Sequence, residues 1–153
     1  MKIVWTLLLA ALFAPFAIAR DTNHAAELAD IFGQAVGKAR IDKSDEILND
    51  SATVYWIHAK FHSKVAFDKY LKGQFQSFDL HTLSFNPDDG VENETISTTW
   101  GTFAFNYGRS DAPVSNRFLG RYTAVAVKIN DKWQLVSIHL SLPYPPDLPP
   151  AIN

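Results

Sequence analysis

An α+β fold is predicted for this chain of 153 residues by three features of its sequence. In segments of the first half, apolar residues recur three and four apart, the mark of helices with one inward face. In the second half the pattern changes to alternation over long β-branched and aromatic runs, the mark of strands. Helices followed by a meander of antiparallel strands make one domain, and there is no internal repeat. The clearest run is residues 116–141, two alternating stretches joined by the short polar Asn130-Asp131, which reads as a β-hairpin. On its first strand Arg121, Thr123, Val125 and Val127 face one way, and Tyr122, Ala124, Ala126 and Lys128 the other. On the second, Trp133, Leu135, Ser137, His139 and Ser141 oppose Gln134, Val136, Ile138 and Leu140. Both faces carry bulky apolar groups, so a sheet covered by helices on one side and by a partner on the other is expected.

Composition narrows the function. Aromatic residues make up 13% of the chain and include eleven phenylalanines, which implies a core or a cavity wall rich in rings. The formal net charge of -2 and the absence of any Lys/Arg run argue against a nucleic-acid partner. With no cysteine, disulfides, thiolate nucleophiles and cysteine zinc sites are excluded. Residues 1–19 read as a secretory signal peptide: Lys2 precedes an apolar run from Ile3 to Phe13, and Ala17-Ile18-Ala19 is a small-x-small cleavage pattern before Arg20. The run is short and broken by Pro15, so no membrane anchor is expected after cleavage, and the mature protein is expected to be secreted or periplasmic. An exported domain without disulfides has to be held by its core or by a subunit interface.

After the signal, Asp21-Thr22 can cap a helix with its apolar stripe at Ala25, Leu28, Ile31, Phe32, Ala35, Val36 and Ala39, weakened at its end by Gly37. A shorter helix is expected over residues 44–48, ended by Asn49-Asp50, and then a strand over residues 51–59 with Val54, Trp56 and His58 on one face and Thr53, Tyr55 and Ile57 on the other. His62-Ser63 opens a second long helix in which Phe67, Tyr70, Leu71, Phe75 and Phe78 share a face. A short strand over residues 81–85 leads to the turn cluster Asn86-Pro87-Asp88-Asp89-Gly90. Residues 95–107 form a long strand, with Gly101 marking a bulge or a close approach to the backbone. The domain is expected over residues 20–142. The tail over residues 143–153 is proline-rich and can only run extended.

The order of elements and the last strands together resemble the nuclear transport factor two-like superfamily, in its SnoaL-like and calcium/calmodulin-dependent kinase II association-domain-like branch. The resemblance is carried by Gly120-Arg121-Tyr122-Thr123, by Asp131-Lys132-Trp133-Gln134-Leu135-Val136 and by His139-Leu140-Ser141. Asp131-Lys132 stands where that branch usually has a glycine before the tryptophan. The resemblance implies a cone-shaped, cystatin-like fold: N-terminal helices packed on a curved antiparallel sheet, a cavity at the open end, and homodimers formed through the outer sheet face. The fold hosts enzymes, ligand carriers and assembly modules, so it leaves the activity open.

Candidate site residues follow from chemistry. Arg121 sits among apolar neighbours, where a guanidinium needs a carboxylate or a polar cavity. It reads either as a clamp for a carboxylate-bearing ligand or as the partner of an acid such as Asp68 or Glu94. His139 reads either as an acid or base at a cavity mouth or as a core histidine bonded to backbone. Tyr55, Trp56, Trp100, Phe103 and Tyr107 can wall a pocket or pack a ring-rich core, with Trp56 and Trp100 preferred as walls. The predicted ligand-binding set is therefore Arg121, His139, Trp100, Trp56 and Tyr55, and the ligand a small apolar or carboxylate-bearing molecule. Strand interiors hold almost no Asp or Glu, so an isomerase or cyclase activity would fall to His139 or Asp68 as base. His24, His58, His62 and His81 are scattered, and neither a metal site nor a cofactor is expected.

Overall fold

The computed structural model describes residues 23–37, 46–74, 79–108 and 116–143. Along the chain these form α1 (His24–Gly37), β1 (Leu48–Trp56), β2 (Ala59–Phe61), α2 (Lys64–Gln74), β3 (Asp79–Glu92), β4 (Ile96–Gly108), β5 (Asn116–Ile129) and β6 (Lys132–Ser141). The strands make one curved, unclosed sheet in the order β2-β1-β6-β5-β4-β3, with the two described helices packed against it. Strands β3 to β6 form the expected antiparallel meander. The expectation of a wholly antiparallel sheet is corrected at one seam, since β1 runs parallel to β6. Side-chain alternation reveals which residues share a face but says nothing of strand direction. Residues 1–19, which the sequence analysis reads as a signal peptide, Asp21-Thr22, Ala39, residues 44 and 45, Phe75, Phe78 and the tail after Pro143 lie outside the described residues. No described helix is long and apolar enough to cross a membrane.

Helix α1 begins where its first-turn N–H groups find acceptors. Asn23 takes the capping position: its Oδ1 accepts from Ala26 N at 3.1 Å and its carbonyl from Ala26 and Glu27. The remaining two donors are met from the sheet, His24 N by Glu92 Oε2 at 2.8 Å and Ala25 N by Ser97 Oγ at 2.9 Å. Glu92 also pairs with His24 Nδ1 at 2.7 Å, and the His24 ring stacks on Trp133 with centroids 4.6 Å apart. The carboxylate thus ties helix, β3 and β6 together. Burial pushes the Glu92 carboxyl up, but the hydrogen bonds from Ser97 and His24 and the His24 charge outweigh it and hold it below its ordinary value. A folded pKa below the unfolded one adds stability that is present above the ordinary carboxylate range and lost as pH falls through the folded pKa. Glu92→Gln is therefore expected to lower the melting temperature at neutral pH and to converge on the parent in acid. A deficit that stays constant down to the lowest pH would refute this.

The buried stripe of α1, with Ala25, Ala29, Phe32 and Val36 each at 0% exposure, lies on β3. Gly33 brings the helix backbone close, for a Cβ there would stand 2.7 Å from the Leu83 carbonyl oxygen. Ile31, counted with the stripe from sequence, faces solvent. The core continues through Leu48, Val54, Phe67, Phe103, Leu135, Ile138 and Leu140.

Three sequence expectations shift. Residues 51–59 are not one strand: β1 starts at Leu48, in place of the expected helix end, and the chain turns at Ile57-His58 into β2. The cluster Asn86 to Gly90 is not a turn but lies inside β3, where Asp88 is the extra residue between Pro87, opposite Gly101, and Asp89, opposite Trp100. As the edge strand, β3 tolerates Pro87, whose missing N–H no ladder needs. In β6 a bulge at Val136 changes the alternation, so Leu135 shares the helix-facing side with Ile138 and Leu140 rather than with His139.

The hairpin is as expected. Asn130 and Asp131 have φ of 49° and 61°, both in the left-handed region that a two-residue type I′ turn requires. Asparagine and aspartate tolerate this, and glycine does so better. Asp131→Gly is expected to raise stability by up to about 1 kcal/mol in urea denaturation. The exposed Lys128–Asp131 pair it removes, at 3.5 Å, offers little in return. A lower unfolding midpoint would contradict this turn geometry.

Candidate functional site

One end of the sheet and α2 border a half-open cavity of about 220 Å³. Its walls are Trp56 from the end of β1, Ile57 and His58 from the turn after it, Tyr70, Leu71 and Gln74 from α2, Phe105 and Tyr107 from β4, Phe118 from β5, and Leu142 after β6. Each strand contributes through its alternation: Phe103, Phe105 and Tyr107 share the inner face of β4, and Phe118 pairs with Phe105 across the ladder. Tyr107 stacks with both neighbours in this wall, its ring 17° from Phe105 and 16° from Phe118 with centroids 5.4 and 5.5 Å away, while Phe105 and Phe118 are tilted by 33° to each other. Trp56 meets Phe105 edge-on at 5.8 Å and is backed by Phe67 at 5.6 Å.

The turn at the cavity rim is strained. Ile57 has φ of 52°, a conformation disfavoured for a β-branched residue. It is held by hydrogen bonds from Ile57 N to Leu140 O at 3.0 Å and from His58 N to Trp56 O. This turn sets Ile57 and His58 side by side at the rim, within a wall of rings. The polar groups of the lining are few: His58, Gln74 and the tyrosine hydroxyls. Burial pushes the Tyr70 hydroxyl pKa up, so it is a neutral hydrogen-bonding group. No Asp, Glu, Lys or Arg stands among the described lining residues.

Of the five residues predicted to bind ligand, Trp56 alone lines this cavity. The other four are brought together, but on the outer face of the sheet, and their assignment to the cavity is corrected. Tyr55, His139, Thr123 and Trp100 form one row across β1, β6, β5 and β4. The Tyr55 and His139 rings lie 5.1 Å apart, and Lys60 caps the row over Tyr55. Arg121 lies beside it, 71% exposed, donating to Asp88 Oδ2 at 2.7 Å. The reading of Arg121 as half of an ion pair is the one the structure favours, with Asp88, the bulge residue, in place of Asp68 or Glu94. Neither His139 nor Asp68 lines the cavity, so neither candidate base is placed to act there. Tyr107 was weighed from sequence as a wall, and it is one. From sequence His58 is weighed only as a metal ligand, and Tyr70, Phe105 and Phe118 are not singled out as walls. The signal for His58 was its place with Trp56 at the end of an apolar strand.

Neither a protein-family model nor a curated protein sequence matches the chain. Solved structures do. A nuclear transport factor 2-like superfamily protein from Salmonella enterica serovar Typhimurium superposes with a TM-score of 0.68 at 14% identity, covering 84% of this chain and 95% of that one. A ketosteroid isomerase-like protein from Erwinia carotovora atroseptica gives 0.68 at 12% identity, over 82% of this chain and 99% of that one. A calcium/calmodulin-dependent protein kinase II association-domain-like protein from Xanthomonas campestris gives 0.65 at 16% identity, over 82% and 88%. The chain has the nuclear transport factor 2-like fold.

Proposed function

We propose that this chain is an exported small-molecule-binding protein whose working part is the ring-walled cavity, and that it acts as a homodimer. The observation that carries the reading is the cavity itself: about 220 Å³, walled mainly by aromatic and aliphatic side chains with a few polar groups at its rim, the usual make-up of a ligand site. Export is supported by the segment from Lys2 to Ala19, a charged start, an apolar run and a small-x-small end. Pairing is supported by the apolar outer face of the sheet, where Trp100, Ile96 and Leu119 are 38%, 47% and 58% exposed and Val125 and Val127 continue the stripe. The four outward residues Tyr55, His139, Trp100 and Arg121 belong to this face and so to the subunit contact rather than to the ligand.

Native mass spectrometry of protein purified from its source tests both parts. The expected result is a dimer without residues 1–19, carrying a small mass that is lost on denaturation. A thermal-shift screen of ring compounds extends it, since a ligand at a hundred times its Kd stabilises by about 2.7 kcal/mol. Arg121→Ala is expected to leave that shift unchanged, whereas Phe118→Trp, which fills the cavity, removes it. A monomer in solution would remove the pairing, and a screen without a single shift would remove the binding role.

A further inference from the structure

The chemistry of the wall defines which ligand it accepts, given the reading of the cavity as a ligand site. Five of its ten lining residues are aromatic: Trp56, Tyr70, Phe105, Tyr107 and Phe118. Tyr107 stacks between Phe105 and Phe118 in the wall, and a lining with this share of rings favours an aromatic partner that can stack on them or meet them edge-on. A volume of about 220 Å³ lies below the range of drug-sized sites and limits the occupant to one or two rings.

Charge narrows it further. A carboxylate or ammonium entering an apolar cavity loses its water and needs an opposite charge in return. Among the described lining residues there is none. The nearest expectation of one, Arg121, is on the far face of the sheet and committed to Asp88. Lys64 is paired with Asp50 at 2.9 Å, and Lys60 lies over the outward Tyr55 ring. Burial keeps the Tyr70 hydroxyl protonated, so the group contributes a dipole and no charge. The polar side chains at the rim are His58, on the strained turn after β1, and Gln74, at the end of α2. Both can donate and accept a hydrogen bond.

We infer that the cavity takes neutral planar compounds of one or two rings carrying a single hydrogen-bonding substituent, which points to the rim and is met by His58 and Gln74, and that it rejects carboxylates and ammonium ions of the same shape. The Ile57-His58 turn is then the orienting element: its conformation holds the imidazole beside the ring wall.

Calorimetric titration of the full mature chain at neutral pH with 2-naphthol, naphthalene, 2-naphthoate and 2-naphthylmethylammonium tests this. The expected order is 2-naphthol tightest, naphthalene weaker, and both ions weaker than 2-naphthol by roughly 30-fold or more. His58→Ala lies at an exposed hairpin tip, so it should fold as the parent does, checked by its melting temperature. It is expected to lower 2-naphthol affinity by about tenfold and to leave naphthalene unchanged. Equal affinity for 2-naphthoate and 2-naphthol would overturn the inference while leaving a ligand-binding cavity intact. An equal loss for naphthol and naphthalene in His58→Ala would overturn the orienting role. Binding of none of the four would overturn the cavity reading itself, and the inference with it.

Discussion

Replacing Phe67 by alanine is expected to cost about 3–5 kcal/mol, a large share of the ~5–15 kcal/mol by which a domain of this size is stable. The side chain is 0% exposed and sits where four elements meet. Its ring lies 5.7 Å from Phe32 of α1, 5.6 Å from Trp56 of β1 and 5.6 Å from Phe61 of β2. Truncation removes its own transfer energy and leaves a hole that three large, interlocked rings cannot readily collapse into. Trp56 is also a cavity wall, so the same change should weaken ring-ligand binding through loss of its backing. Val65, on the same helix but 72% exposed, provides the comparison: Val65→Ala should move stability by no more than ~0.5 kcal/mol. Chemical denaturation of the two variants separates the possibilities. Similar costs at both positions would mean that α2 is not docked on the sheet through Phe67.

The fold and the site were legible to different degrees, for a physical reason. Helix stripes and strand alternation are local, so the buried face of α1, the long strand β4 and the hairpin of β5 and β6 could be read with few errors. Parity also grouped Arg121, Thr123, Val125 and Val127 correctly, and put Tyr122, Ala124 and Ala126 opposite them. Which group meets the helices was not legible, because both faces are apolar: one covers the core, and the other is proposed to cover a partner. The small Ala124 and Ala126, both fully buried, were the available hint that helices pack on that side. The bulges at Asp88 and Val136 were invisible for another reason. Asn-Pro-Asp-Asp-Gly has the composition of a turn, and only its place on an edge strand lets it stay extended around Asp88. At Val136 no residue type marks the bulge at all, so His139 was carried along the alternation of Leu135 although it lies on the opposite face. The cavity, in turn, joins residues from β1, α2, β4, β5 and the chain after β6, a meeting that no local pattern encodes.

The second large effect is expected at Gly101, and it concerns how the sheet bends around the cavity. Opposite this glycine lies the Asp88 bulge of β3: a Cβ on residue 101 would overlap Asn86 O and stand 2.8 Å from Asp88 N and 2.9 Å from Pro87 Cα. All three are main-chain atoms, with Asn86, Pro87 and Asp89 paired to β4 on either side of Asp88, so none can swing aside as a side-chain end would. Gly101→Ala must therefore part β3 from β4 or undo the bulge, at an expected cost of about 3 kcal/mol. Because a bulge increases local twist, the loss should also alter the curvature that carries Phe105 and Tyr107 to the cavity wall. Gly73, in α2, has nothing within 4 Å of an added Cβ, so Gly73→Ala should gain up to ~1 kcal/mol from helix propensity alone. The same substitution at two glycines is thus expected to move the urea midpoint in opposite directions. If Gly101→Ala were as benign as Gly73→Ala, the β3 backbone would not be held against residue 101, and the bulge could not be what shapes this end of the sheet.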